Sequence, residues 1–135
     1  MNVVFKLLDE GAIIPQRAYD NAVGLDVYMP KTGVLKPGMN CIRLGISVEV
    51  PNGYMLNIYP RSSLAKKGII SILAPIDPGY TGSIHLIVLN TTGEYYHYNE
   101  GERLGQLVFH NIAVVNPISK HDSARGDKGL GSTGT

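Results

Sequence analysis

Apolar and polar side chains alternate from Cys41 to Val50. Ile42, Leu44, Ile46, Val48 and Val50 fall on one face, and Arg43, Gly45, Ser47 and Glu49 on the other. A repeat of two belongs to a strand with one buried face, because helical spacing would scatter the same residues around a cylinder. Pro51-Asn52-Gly53 is a turn signal, and the alternation resumes at Tyr54, Leu56 and Ile58, which predicts a hairpin. Further strands are predicted over Val3 to Leu8, Gly24 to Met29, Ile69 to Leu73, Ile84 to Asn90, Tyr95 to Tyr98 and Leu104 to Val115. Lys36-Pro37-Gly38, Pro78-Gly79, Thr92-Gly93 and Asn99-Glu100-Gly101 punctuate them. Only Ser62 to Lys67 suits a helical turn or two. The chain holds 16 glycines and 8 prolines in 135 residues, more than one residue in six against an average of about one in eight. An all-β domain of short strands is predicted, a sandwich, jelly roll or barrel.

A chain of this length is one domain, able to bury roughly two thirds of its unfolded surface. Its 12 basic and 11 acidic residues leave a net charge of +1. No global field therefore draws it to a nucleic acid or an anionic membrane, and any anion must be held locally. The opening MNVVFKLLDEGAIIP is broken by Lys6, Asp9 and Glu10, which suits neither a signal peptide nor a bilayer span. A cytoplasmic location is expected, in a host cell if the source is a virus. Cys41 has no partner for a disulfide and, inside the alternation, reads as a small buried hydrophobe. His85, His97, His110 and His121 show no paired ligand spacing, so zinc is not expected. Asn90-Thr91-Thr92 fits a glycosylation triplet, which is moot for an intracellular protein.

Five clusters carry chemistry. Arg61, Ser62 and Ser63 offer a guanidinium and two hydroxyls where a strand enters a turn, a cradle for phosphate oxygens; the plainer reading is a surface arginine and serines capping a short helix. Asp77 stands between Ile76 and a Pro-Gly turn. It is either a turn residue or a general base at the mouth of a hairpin pocket with Tyr80 as one wall. Asp26 on a strand and Gln106 at the start of another read most simply as surface residues. Residues 120–135 carry four glycines, five charges and Leu130 as the only large apolar side chain. Such a tail is expected to be mobile in isolation, separate from a folded domain over residues 1–119, and its cations and hydroxyls suit wrapping around a polyphosphate.

Together and in order, AVGLD (22–26), PRSSLA (60–65), IDPGYTG (76–82), GERLGQLV (101–108) and RGDKGLGSTG (125–134) resemble the five motifs of the trimeric dUTPase family. The resemblance covers nearly the whole chain. It implies a distorted jelly roll of the β-clip type with a flexible C-terminal arm, and hydrolysis of dUTP to dUMP and pyrophosphate with Mg²⁺ on the triphosphate. By the same resemblance Asp77 activates the water that attacks the α-phosphorus. Asp26 supports that carboxylate or, through water, the metal. Arg61, Ser62, Ser63, Ala74, Ile76, Tyr80, His85, Gln106, Arg125, Leu130, Gly131 and Ser132 bind the substrate, with Gln106 holding phosphate or the attacking water. Tyr80 beneath the deoxyribose leaves no room for a 2′-hydroxyl, and a narrow hairpin between Leu73 and Leu89 excludes the thymine methyl. Active sites shared among the subunits of a homotrimer are implied as well, one lending the hairpin and another the arm.

The chain departs from the family pattern at several positions. Leu130 stands where a uracil-stacking phenylalanine is usual, and Lys128 where glycine is common. Pro75, which has no N–H, precedes Ile76. Ser71 lies near where many relatives place a uracil-reading asparagine. Two other readings compete: a related dCTP deaminase, whose catalytic glutamate would fall at Ile87, and a fold-sharing regulatory or binding protein that acts through partners.

Overall fold

The structure, a computed structural model, describes residues 1–120. In chain order the elements are β1 (Phe5–Leu7), β2 (Leu25–Tyr28), β3 (Gly33–Leu35), β4 (Gly38–Arg43), β5 (Ile46–Val48), β6 (Tyr54–Pro60), α1 (Ser62–Lys66), β7 (Ile69–Ser71), β8 (His85–Asn90), β9 (Tyr96–Tyr98) and β10 (Arg103–Asn111). The strands form four small sheets, β1-β5, β2-β10-β6, β3-β9 and β4-β8-β7, in which the pairs run antiparallel. The all-β expectation holds, and the only helix among the described residues is the short one predicted after Pro60.

Val27, Met29, Leu35, Leu44, Ile46, Leu56, Ile84, Leu86 and Leu107 fill the middle, essentially without solvent contact. They come from all four sheets and from the segments between them, so one core holds the sheets together. Each large apolar side chain buried in this way contributes about 1.5–3 kcal/mol. In β8 the alternation is plain: Leu86, Val88 and Asn90 point inward, while His85, Ile87 and Leu89 face the other way. Asn90 is buried because its amide bonds the carbonyls of Leu35 (3.2 Å) and Glu94 (2.8 Å) and its Oδ1 accepts from Thr92 N–H (3.0 Å). The Asn90-Thr91-Thr92 triplet is thus a turn scaffold rather than an exposed sugar acceptor.

The predicted hairpin across Pro51-Asn52-Gly53 does not form. β5 pairs with β1, and β6 pairs with β10. Gly45, at φ +71°, breaks the long alternating run into β4 and β5 and redirects the second half to a different partner. The turn closes locally, Tyr54 N–H to Pro51 O at 3.1 Å, but carries the chain from one sheet to another. Leu44, Ile46, Val48 and Val50 all lie in the core as the alternation predicted, but Gly45 and Ser47 of the opposite face are buried as well. Cys41 is exposed rather than buried, because in β4 it shares the outer face with Met39 and Arg43. β10 ends at Asn111, and residues 112–120 run on without regular structure, exposed.

Leu56 lies at the centre of β6, fully buried. Truncation to alanine there leaves a cavity in a layer that cannot collapse easily. Leu56→Ala is expected to lower unfolding stability by about 2–5 kcal/mol, read as a shift in the urea midpoint at constant slope.

Candidate active site

The segment from Ala74 to Tyr80 has no regular structure and is held in place from both ends. Ile76 exchanges two backbone hydrogen bonds with Leu56 of β6: Ile76 N–H donates to Leu56 O at 2.8 Å, and Leu56 N–H to Ile76 O at 3.2 Å. The next four residues, Asp77-Pro78-Gly79-Tyr80, close a turn through Tyr80 N–H to Asp77 O at 3.3 Å. Gly79 takes φ +90°, and proline then glycine at the two central positions is the chemistry a type II turn requires. The Tyr80 ring folds back over Gly82, where a Cβ would stand 2.6 Å from its hydroxyl oxygen. Upstream, Ile72 N–H donates to Ile87 O at 2.8 Å and ties this segment to β8.

These ties enclose a cavity of about 240 Å³ whose walls include Ile72, Ala74, Ile76, Asp77, Tyr80, His85 and Ile87. One carboxylate therefore faces a mostly apolar pocket. The predicted slot between Leu73 and Leu89 is shifted: Ile72 and Ile87 form its walls. The reason is register, for the Ile72–Ile87 hydrogen bond places those two residues together, whereas Leu89 pairs with Met39 and Ile70 and Leu73 is exposed. Ser71 pairs with Val88 and is not among the residues lining the cavity. His85 lines it with its ring turned back toward the residues before its strand, Nδ1 lying 3.1 Å from Ser83 O.

A second cleft, of about 360 Å³, gathers Asp26, Arg61, Ser62, Arg103 and Gln106, with Tyr19, Val23 and Gly24 among its walls. The sheet β2-β10-β6 explains the meeting. Asp26 pairs with Gln106, and Gln106 with Tyr59, two residues before Arg61 where β6 ends. Arg103 reaches Asp26, Nη1 to Oδ2 at 3.5 Å, and its carbonyl accepts from Arg61 Nη1 at 3.4 Å. Two guanidiniums against one carboxylate make the cleft locally cationic on a chain whose net charge is only +1. Gly24 lets the amide of Gln106 come close, since a Cβ there would stand 2.7 Å from Gln106 Oε1 and 2.9 Å from Leu107 O.

The structure thus divides the sequence-predicted residues between two cavities that share no lining residue. Ala74, Ile76, Asp77, Tyr80 and His85 line one, and Asp26, Arg61, Ser62 and Gln106 the other. Ser63 lies exposed on α1 and lines neither. Arg125, Leu130, Gly131 and Ser132 lie outside the described residues. Arg103 was missed, although it lies inside the GERLGQLV motif; an arginine opposite a strand that carries Asp26 was the available signal. Among the described residues no group of three or more His, Cys, Asp or Glu could by itself hold a metal ion. Asp26 is the one carboxylate of the cationic cleft. A lone carboxylate suits Mg²⁺, which keeps several waters and takes most of its other ligands from substrate phosphates.

Comparison with known proteins shows the family and the fold. The dUTPase family model matches residues 10–134. The deoxyuridine 5′-triphosphate nucleotidohydrolase of Clostridium tetani is 37% identical over 136 residues, covering 96% of this chain and 94% of its own. That of Paramecium bursaria Chlorella virus 1 is 39% identical over 139 residues, covering 98% of each. Among solved structures, the dUTPase from phage phi11 of S. aureus, in which a structural Mg(II) ion is coordinated, superposes with a TM-score of 0.82 at 24% identity over 91% of this chain and 99% of that one. The Staphylococcus bacteriophage 80alpha dUTPase, seen with dUpNHpp, superposes at 0.79 with 23% identity over 93% of each chain.

The close approach at Gly24 is directly testable. One of the atoms a methyl group would meet there is the backbone carbonyl of Leu107, which cannot swing aside. Gly24→Ala is expected to destabilise the fold by about 1–3 kcal/mol, measured by urea unfolding, whereas Gly53→Ala meets no atom within 4 Å and is limited to the strain of its positive φ.

Proposed function

The chain belongs to the dUTPase family, and from that premise we propose that it hydrolyses dUTP to dUMP and pyrophosphate, with Asp77 serving the attacking water. The observation that carries this reading is the pair of cavities: a small apolar pocket with one carboxylate, and a separate cationic cleft. They suit the two ends of a nucleoside triphosphate.

In the proposed mechanism uracil and deoxyribose enter the pocket between Ile72 and Ile87, with Tyr80 under the sugar. A ribose would press its 2′-hydroxyl into the tyrosine ring, and thymine would press its methyl against the pocket walls. Filling an already full, rigid slot costs more than leaving a slot partly empty, so discrimination of this kind exceeds what a single missing methylene yields. Asp77 holds the water in line with the α-phosphorus and takes its proton. The new P–O bond forms as the bond from the α-phosphorus to the bridging oxygen breaks, and the electron pair leaves with pyrophosphate. A carboxylate is a weak base, so most of the acceleration comes from positioning and from neutralising phosphate charge. Arg61 and Arg103 supply positive charge, and Ser62 and Gln106 hydrogen bonds. Mg²⁺ on the triphosphate, supported through water by Asp26, supplies further charge neutralisation when bound.

A shared-site trimer suits the same geometry. Five residues of strand, about 16 Å at 3.3 Å per residue, run from Leu56, which anchors the Asp77 segment, to Arg61. A second copy can set its cleft against this pocket more readily than one chain can fold the two together. Val114, Val115 and Ile118 are at least 75% exposed in the single chain, apolar surface that association would cover. A deaminase reading is disfavoured because Ile87 lines the pocket where that chemistry needs a carboxylate.

Pyrophosphate release from dUTP, UTP, dTTP and dCTP tests the assignment. Turnover of dUTP alone is expected, and Asp77→Asn should lower it by about 10²–10⁴-fold. Equal turnover of UTP would remove the role given to Tyr80, and full activity of the variant would remove the base.

Site sharing has its own test. Asp77→Asn and Arg61→Ala chains, each inactive alone, are unfolded together and refolded at equal ratio. If each site draws its pocket and its cleft from different copies, about a quarter of the sites in randomly mixed trimers regain both residues. No recovery would place both residues in one chain's site.

A further inference from the structure

Tyr80 is 45% exposed, and a ring that projects so far needs something to hold it still if it is to discriminate by shape. Its hydroxyl donates to Ser83 O at 2.8 Å. Ser83 itself is buried, 4% exposed. Its Oγ accepts the N–H of Gly45 at 3.0 Å and donates to Ile84 O at 3.0 Å. On either side of Gly45 the backbone is stitched to the next residue along: Leu44 N–H donates to Ile84 O at 3.0 Å, and Ile84 N–H to Ile46 O at 2.8 Å. Residues 83–84 and 44–46 therefore form one clasp, and the oxygen that holds Tyr80 belongs to it.

Gly45 is at this point for two reasons. Its φ of +71° is open mainly to glycine, and a Cβ would stand 2.7 Å from Asp9 Oδ2. That carboxylate lies over Gly45 because Arg43 grips it, Nε to Oδ2 at 2.7 Å and Nη2 to Oδ1 at 3.1 Å. Leu8 N–H also donates to Gly45 O at 2.8 Å. The break in the alternating run is thus occupied from both sides, by the Asp9–Arg43 pair and by the Ser83 hydroxyl. Alanine at 83 would leave the buried Gly45 N–H without its partner, and the carbonyl that receives the Tyr80 hydroxyl would lose its lateral tie.

We propose that Ser83 is a positioning residue for sugar discrimination: by clasping Gly45 it fixes the carbonyl that holds the Tyr80 ring, and so keeps the floor of the nucleoside pocket rigid against a 2′-hydroxyl. The proposal rests on the reading of Tyr80 as that floor. The effect of Ser83 falls on the choice between dUTP and UTP rather than on the chemical step.

The experiment compares kcat and KM for dUTP and UTP in the wild type, Ser83→Ala, Tyr80→Phe, the double variant and Ser83→Thr, with thermal melts to confirm folding. In Ser83→Ala the ratio of kcat/KM for dUTP over UTP is expected to fall about tenfold, mainly through a gain on UTP, while kcat for dUTP changes less than about threefold. Tyr80→Phe, which removes only the hydroxyl, is expected to lower the ratio similarly. The double variant should lose no more than either single one, because both cut the same link, and Ser83→Thr should restore the ratio. A discriminating wild type whose ratio survives Tyr80→Phe overturns the clasp, whether or not Ser83→Ala folds, and so does an additive double variant. A wild type that turns over UTP as readily as dUTP overturns the Tyr80 reading instead, and the purpose of the clasp with it.

Discussion

Two backbone hydrogen bonds between Leu56 and Ile76 hold the segment that carries Asp77 against the core. Without them residues 72–83 would be a long irregular loop with nothing to set the height of the carboxylate. Leu56 is fully buried on β6, and the same strand ends at Pro60, where Arg61 and Ser62 begin the cationic cleft. One strand therefore positions both halves of the machinery, and β10 beside it contributes Gln106 and Arg103. Rigidity of the sheet suits the proposed reaction, in which positioning dominates.

The charge distribution follows a related economy. A chain with a net charge of +1 exerts no long-range pull on nucleic acids, yet it must bind a highly anionic substrate. Two guanidiniums gather in one cleft that suits it, where Arg103 is partly answered by Asp26 at 3.5 Å and Arg61 leans on a carbonyl at 3.4 Å. Neither contact is short, so both arginines keep most of their donors free for phosphate oxygens. The cavity beside Asp77 is mostly apolar by contrast, which suits selection by shape.

Much of the fold was legible residue by residue. Period-two alternation identified Leu44, Ile46, Val48, Val50, Leu56 and Ile58 as buried, although Ser47 and Asn57 on the opposite faces are buried too, and glycine with proline located the turns, because both signals are local consequences of backbone geometry. Which strand pairs with which was not legible. Pairing depends on long-range register, and the Pro51-Asn52-Gly53 turn looks the same whether it joins partners or passes the chain between sheets. Cys41 was misread for a kindred reason: alternation tells that two faces exist, and the packing of β4 tells which of them is covered. The site was legible as five clusters of suitable chemistry, but Arg103 and Ser83 stayed hidden because their importance lies in what they touch.

By itself the chain determined an all-β domain, a phosphate-suited arginine and serine after a strand, and a carboxylate at a Pro-Gly turn, since each of these is set by neighbours within a few residues. Tertiary structure alone decided that the clusters separate into two cavities, that Ile72 and Ile87 rather than Leu73 and Leu89 wall the pocket, and that Gly45 and Ser83 meet under Tyr80 across 38 residues of chain. Contacts at such separation follow from how strands stack around a shared core, and no local pattern encodes the partner.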